Sequence, residues 1–104
     1  MLSKVQLKSI AKELSPAIYD VLTPNARYCA ENYGIDTYED YVEQVFEGND
    51  AIETQLYSYF VDACEQLFDY PVYDLEPDTY YKVLEMLDAT IQDAVITGIE
   101  QAFN

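Results

Sequence analysis

The sequence predicts an all-α fold: a small bundle of about five helices with a long C-terminal helix. Three observations point there. Apolar residues recur at three- and four-residue spacing along most of the chain. The breakers sit where helices start and stop, as Ser3, Ser15-Pro16, Thr23-Pro24, Gly34, Gly48 and Pro77 do. Only "DYPVYDLEP", residues 69–77, reads as extended chain or loop.

Each element has its own signature. Ser3 caps a first helix that carries Val5, Leu7, Ile10, Ala11 and Leu14 on one face. Ser15-Pro16 reads as a fresh start before the short turn "AIYDVL", because proline suits the first helical position. Thr23-Pro24 repeats that signal ahead of "NARYCAENY", which Gly34 closes. Asp36 or Thr37 caps the next helix, whose Tyr38, Tyr41, Val42, Val45 and Phe46 follow the spacing of one apolar face, and Gly48 ends it. Asn49 or Asp50 opens a longer helix with Ile52, Leu56, Tyr59, Phe60, Ala63 and Leu67 inward. Pro77-Asp78-Thr79 starts the last helix, which runs on Val83, Leu84, Leu87, Ile91, Ala94, Val95 and Ile99. Gly98 within it costs about 1 kcal/mol against alanine and marks a close approach of another element.

The 104 residues make one small domain with enough apolar content for a core: half are hydrophobic and eleven are tyrosine. An acidic disordered tail would not carry that content. A net charge of −15 therefore sits on a folded body. It disfavours direct binding to nucleic acid or to an anionic membrane, and favours a basic partner, a bound cation or a requirement for very high solubility. No apolar run approaches the ~18 residues of a membrane span. "MLSKVQLKSIAKELS" has no apolar core like that of a signal peptide, so the expected location is the cytoplasm. Cys29 and Cys64 read as reduced, buried thiols.

The charges are unevenly placed. From Tyr28 to Tyr80 every charged side chain is a carboxylate. Two like charges about 6 Å apart in water repel by ~0.7 kcal/mol before screening, and a few i,i+4 lysines would relieve this. Asp36, Glu39, Asp40, Glu43, Glu47, Asp50 and Glu53 occupy one short segment; Asp62, Glu65, Asp69, Asp74, Glu76 and Asp78 continue the series. In an α-helix Glu43 and Glu47 would stand ~6 Å apart along the axis, opposite Tyr38, Val42 and Val45. Several such rows approach the linear density of duplex DNA, one phosphate per ~3.4 Å per strand. These thirteen acids are thus candidates for contacting a partner that normally binds DNA. A solvated face that serves solubility is the plainer reading, although solubility needs only a modest excess of charge.

Other chemistry is thinly represented. The chain has no histidine, which removes the usual general base and most zinc sites, and it has no phosphate-binding glycine loop or nucleophile elbow. Asp74, Glu76, Asp78 and Glu85 match positions 1, 3, 5 and 12 of a calcium loop, but Thr79 replaces its glycine and Pro77 interrupts the turn. No enzyme, cofactor or metal is expected. Lys4, Lys8 and Lys12 form one solvated stripe or touch an acidic surface, and Tyr57, Tyr59, Tyr70, Tyr73, Tyr80 and Tyr81 fill the core or line an interface.

The segment "PDT" at Pro77–Thr79, followed by "VLEMLDATI" at Val83–Ile91, resembles the Ocr-like family of phage antirestriction proteins that mimic DNA. Val83, Leu87, Ala89 and Ile91 match the last helix of that family, and Asp40, Asp50 and Tyr57–Val61 fall in register upstream. The likeness spans roughly residues 36–100; the lysine stripe, Pro16 and Pro24 have no counterpart in it. The resemblance implies an elongated homodimer, with Phe60, Val61 and Val83 at the dimer contact and Tyr57 beside them. It implies a non-enzymatic inhibitor, acting in an infected bacterium, that fills the DNA channel of a host defence enzyme with carboxylates. Type I restriction–modification complexes, BREX-like methyltransferases and CRISPR effectors are the candidate targets. An acidic adaptor that binds one basic protein without imitating DNA is the alternative.

Overall fold

In a computed structural model describing residues 2–47, 50–68 and 78–103, α1 (Lys4–Tyr33) is one helix of 30 residues. Its ends follow from local chemistry. Ser3 Oγ accepts the Gln6 N–H at 3.2 Å while Gln6 Oε1 accepts the Ser3 N–H at 2.7 Å, a reciprocal capping box. Gly34 takes the left-handed conformation (φ 68°) and donates its N–H to the Cys29 carbonyl.

The expected restarts at Pro16 and Pro24 do not occur; both prolines lie inside α1. Each removes an N–H from the ladder, at about 3 kcal/mol in a helix interior. Both prolines, and Lys12 and Asp20 whose carbonyls lose the bond, are exposed, so water can hydrate the freed oxygens. Ile10, Leu14, Ile18 and Leu22, with Ala11, Ala17, Ala26, Cys29 and Ala30, form a buried stripe that passes both breaks. Burial of a large aliphatic side chain gives roughly 1.5–3 kcal/mol. The four large ones therefore match or exceed the cost of two prolines, and the helix continues.

Thr37 is the cap of α2 (Tyr38–Tyr41), accepting the Asp40 N–H at 3.1 Å. The expected α-helix to Phe46 is corrected here: Val42–Phe46 is a π turn, closed by the Glu47 N–H on the Val42 carbonyl at 3.0 Å. The apolar face survives, with Tyr41 buried and Tyr38, Val42, Val45 and Phe46 half-buried. The Tyr41 hydroxyl donates to Asn25 Oδ1 at 2.7 Å and fastens α2 to α1.

In α3 (Asp50–Phe68), Ile52, Leu56, Phe60 and Ala63 face inward as expected. Tyr59 and Leu67 do not: they are 45% and 37% exposed, and Cys64 completes the stripe. Tyr59 sits ~100° around the helix from the buried Phe60, and Leu67 belongs to the last turn.

The long final helix is also corrected, because it is two helices, α4 (Thr79–Met86) and α5 (Asp88–Ala102). They meet at Leu87 (φ −99°, ψ 11°), whose N–H is shared between the Val83 and Leu84 carbonyls at 3.2 and 3.0 Å. The Leu87 carbonyl accepts the Ile91 N–H at 2.8 Å, so the ladder resumes at once. Leu87 itself is buried, so the joint lies in the core.

Contacts pair Tyr19 with Asp93, Thr23 with Ala94 and Ala26 with Gly98, so α1 and α5 run parallel. α1 is the spine on which α3, α4 and α5 pack, and α2 also touches α5. The protomer measures 42 × 21 × 18 Å, with a radius of gyration of 14.3 Å. At about 1.5 Å per residue α1 accounts for the long dimension. The described residues hold no strand, and no helix among them is long and apolar enough to cross a membrane.

Candidate functional site

The acidic series lies on the outside of a helical frame. Asp36, Glu39, Glu43, Glu47, Asp50, Glu53, Asp62 and Glu65 are exposed, and Asp40 is half-buried. Asp69, Asp74 and Glu76 lie outside the described residues. Asp78 is exposed, but Lys82 Nζ stands 3.4 Å from its Oδ2, so it carries a local counter-charge.

Helix ends take the place of basic side chains as compensation for part of this charge. Glu39 and Asp40 occupy the first turn of α2, and Asp50 and Glu53 the first turn of α3. A carboxylate there gains roughly 0.3–1 kcal/mol from the exposed amides and dipole, comparable to the ~0.7 kcal/mol of one neighbouring repulsion. The fold thus tolerates the row without lysines. The π turn resets the angular relation between Glu43 and Glu47, so these two do not stand one α-turn apart as the sequence suggests.

The bases are segregated. Arg27 pairs with Glu31 within α1 at 2.9 Å, while Lys4, Lys8 and Lys12 are exposed along its first turns. One end of the spine is therefore basic, and the α2–α3 side is acidic.

Between the π turn, α3 and α4 lies a cleft of about 280 Å³ lined by Phe46, Glu47, Glu53, Tyr80, Tyr81 and Leu84. Stacked edges build it: Tyr80 packs on Tyr57, Phe60 and Tyr81 with ring centroids 5.2, 5.4 and 5.3 Å apart. The Tyr81 hydroxyl donates to Glu53 Oε1 at 3.1 Å, and this bond raises its pKa. Of the tyrosines singled out by sequence, Tyr80 is core while Tyr57, Tyr59 and Tyr81 reach solvent; Tyr70 and Tyr73 lie outside the described residues. Sequence reasoning missed the cleft because Phe46 and Leu84 are far apart in the chain and each reads as ordinary apolar periodicity.

The suggested dimer contact is corrected in part. Phe60 and Val83 are 2% and 0% exposed and belong to the protomer core, Phe60 within the ring cluster, so neither offers a surface to a second copy. Tyr57 and Val61 do reach the surface, in a groove shared with Asp50, Glu53, Thr54, Ser58 and Asp62.

The thiols are free and buried as expected. Burial raises Cys29 above its ordinary value; burial, with the Glu65 charge adding, pushes Cys64 up to about 11. A thiol held protonated is a poor nucleophile. Among the described residues no group of three or more His, Cys, Asp or Glu side chains converges to hold a metal. Of the calcium-loop positions, Asp74 and Glu76 lie outside the described residues, Asp78 pairs with Lys82, and Glu85 is exposed on α4. No family model, curated protein or solved structure matches the chain.

Proposed function

We propose that this protein is a DNA mimic: a non-enzymatic inhibitor that enters the DNA-binding channel of a host defence enzyme and meets its cationic walls with carboxylates. The observation that carries the reading is the α2–α3 side, where exposed acids follow one another on a helical frame within a sequence stretch that contains no base. Type I restriction–modification complexes, BREX-like methyltransferases and CRISPR effectors all present such a channel to DNA. A protomer 42 Å long spans roughly twelve base pairs at ~3.4 Å each, so an end-to-end homodimer would cover about twice that. The contacts of such a dimer would come from surface residues such as Tyr57 and Val61.

Affinity would arise from many displaced counterions, and no single carboxylate would dominate it. The test is inhibition of such an enzyme by charge-block variants. Neutralising Asp36, Glu39 and Glu43 together, then Asp50, Glu53 and Asp62 together, is expected to erode inhibition stepwise. Complete loss from one single-acid variant would refute a distributed mechanism.

The aromatic-walled cleft favours a second reading, an acidic adaptor that grips one basic protein without imitating DNA. The two separate on competition: excess duplex DNA displaces a mimic from its target and leaves an adaptor bound.

A further inference from the structure

The cleft between the π turn, α3 and α4 combines features that a plain acidic surface lacks. Tyr80 is buried and forms its floor, the exposed Tyr81 forms a wall, and Phe46 and Leu84 supply half-buried apolar sides. Glu47 and Glu53 bring carboxylates from two different elements. At about 280 Å³ the cleft falls just short of the ~300–1,000 Å³ of small-molecule sites, a size suited to one side chain. The Tyr81 hydroxyl fixes Glu53 through one oxygen, which orients the carboxylate. Lys82, next in the chain, is drawn to Asp78.

We propose that this cleft is a binding site for a single arginine side chain of a protein partner. The apolar sides take the methylene stem, the tyrosine ring faces the guanidinium plane, and Glu47 and Glu53 accept its hydrogens. Guanidinium suits such a site better than ammonium because it is planar, weakly hydrated and stacks on aromatic rings. The acidic surface attracts without direction; this cleft supplies a directional contact that sets register. The proposal does not depend on whether the acidic face imitates DNA.

The test needs neither enzyme nor DNA, so its outcome is separate from that of the mimic reading. The full chain, isotope-labelled, is titrated with n-butylguanidinium in about 0.15 M salt and followed by amide chemical shifts. Saturable shifts concentrated at Phe46, Glu47, Glu53 and Leu84 are expected, with half-saturation in the millimolar range. The neutral isostere n-butylurea should bind at least about tenfold more weakly, the loss expected for a charge-assisted contact. Glu53→Gln is expected to weaken binding about tenfold and Leu84→Trp, which fills the cleft, to abolish it, whereas Glu100→Gln on α5 leaves it unchanged. If Leu84→Trp fails to fold, Glu53→Gln carries the test. Shifts spread over all acids without saturation, or equal binding of n-butylurea, would overturn the site. Equal binding of n-butylammonium would overturn its assignment to arginine.

Discussion

Gly98 on α5 lies directly against the Thr23 carbonyl of α1: a Cβ at position 98 would stand 2.3 Å from that oxygen and 2.9 Å from the Ala26 Cβ. The Thr23 hydroxyl donates back to the Ala94 carbonyl at 2.9 Å, so the two backbones are locked at this crossing. Gly98→Ala is expected to destabilise the protein by about 1–3 kcal/mol despite alanine's better helix propensity, because the obstacle is backbone. Urea unfolding measures this, and a stabilised variant would contradict the parallel α1–α5 packing.

The prolines give the opposite sign. Pro16→Ala and Pro24→Ala each restore an N–H inside an unbroken helix at an exposed position. Each is expected to add roughly 1–2 kcal/mol, the helix-interior gain less the greater freedom of the unfolded chain. Destabilisation by either would mean that α1 is really three helices, as the sequence suggests.

Alkali should unfold the protein. Burial raises Cys64 from 9.0 to about 11, and burial also raises Tyr41 and Tyr80 above the ordinary tyrosine value of 10.0. A group with a raised folded pKa contributes stability that is complete below its unfolded pKa and is lost as pH climbs through the folded one. Urea midpoints should therefore fall from about pH 9 upward, with the first part of the fall reduced in Cys64→Ala and the remainder there carried by the buried Cys29 thiol. A flat profile from about pH 8 to pH 11 would show that these groups are not buried.

Salt should act in two directions. Raising ionic strength from about 0.01 M to 1 M shortens the Debye length from ~30 Å to ~3 Å and relieves repulsion along the α2–α3 acids. The melting temperature is expected to rise, while affinity for a cationic partner falls with a steep logarithmic slope. A melting temperature that falls with added salt would mean that paired charges outweigh repelling ones.

What the sequence discloses divides by the range of the interaction. Ser3, Gly34 and Thr37 act within a turn of themselves, so the caps are legible. Gly98 is legible because glycine inside an apolar helical pattern implies a neighbour. Pro16 and Pro24 mislead because a proline signal is local, whereas the stripe that overrides it is fixed by packing on α3, α4 and α5. The π turn and the joint at Leu87 contain neither glycine nor proline and leave no mark in the pattern. Phe60 and Val83 are assigned to an interface by the family resemblance alone, and their own apolar side chains suit a core equally. Most of the described acids are legible as exposed, and the helices they occupy nearly so, but the aromatic cleft beside them is set by tertiary packing.

Competition at a DNA-binding channel tests the central claim most directly. A Type I restriction–modification complex, one of the proposed targets, is immobilised, loaded with the protein, and challenged with excess duplex DNA over a range of salt. DNA mimicry predicts displacement by duplex DNA and mutually exclusive occupancy at every salt concentration. A ternary complex of enzyme, DNA and this protein would contradict it.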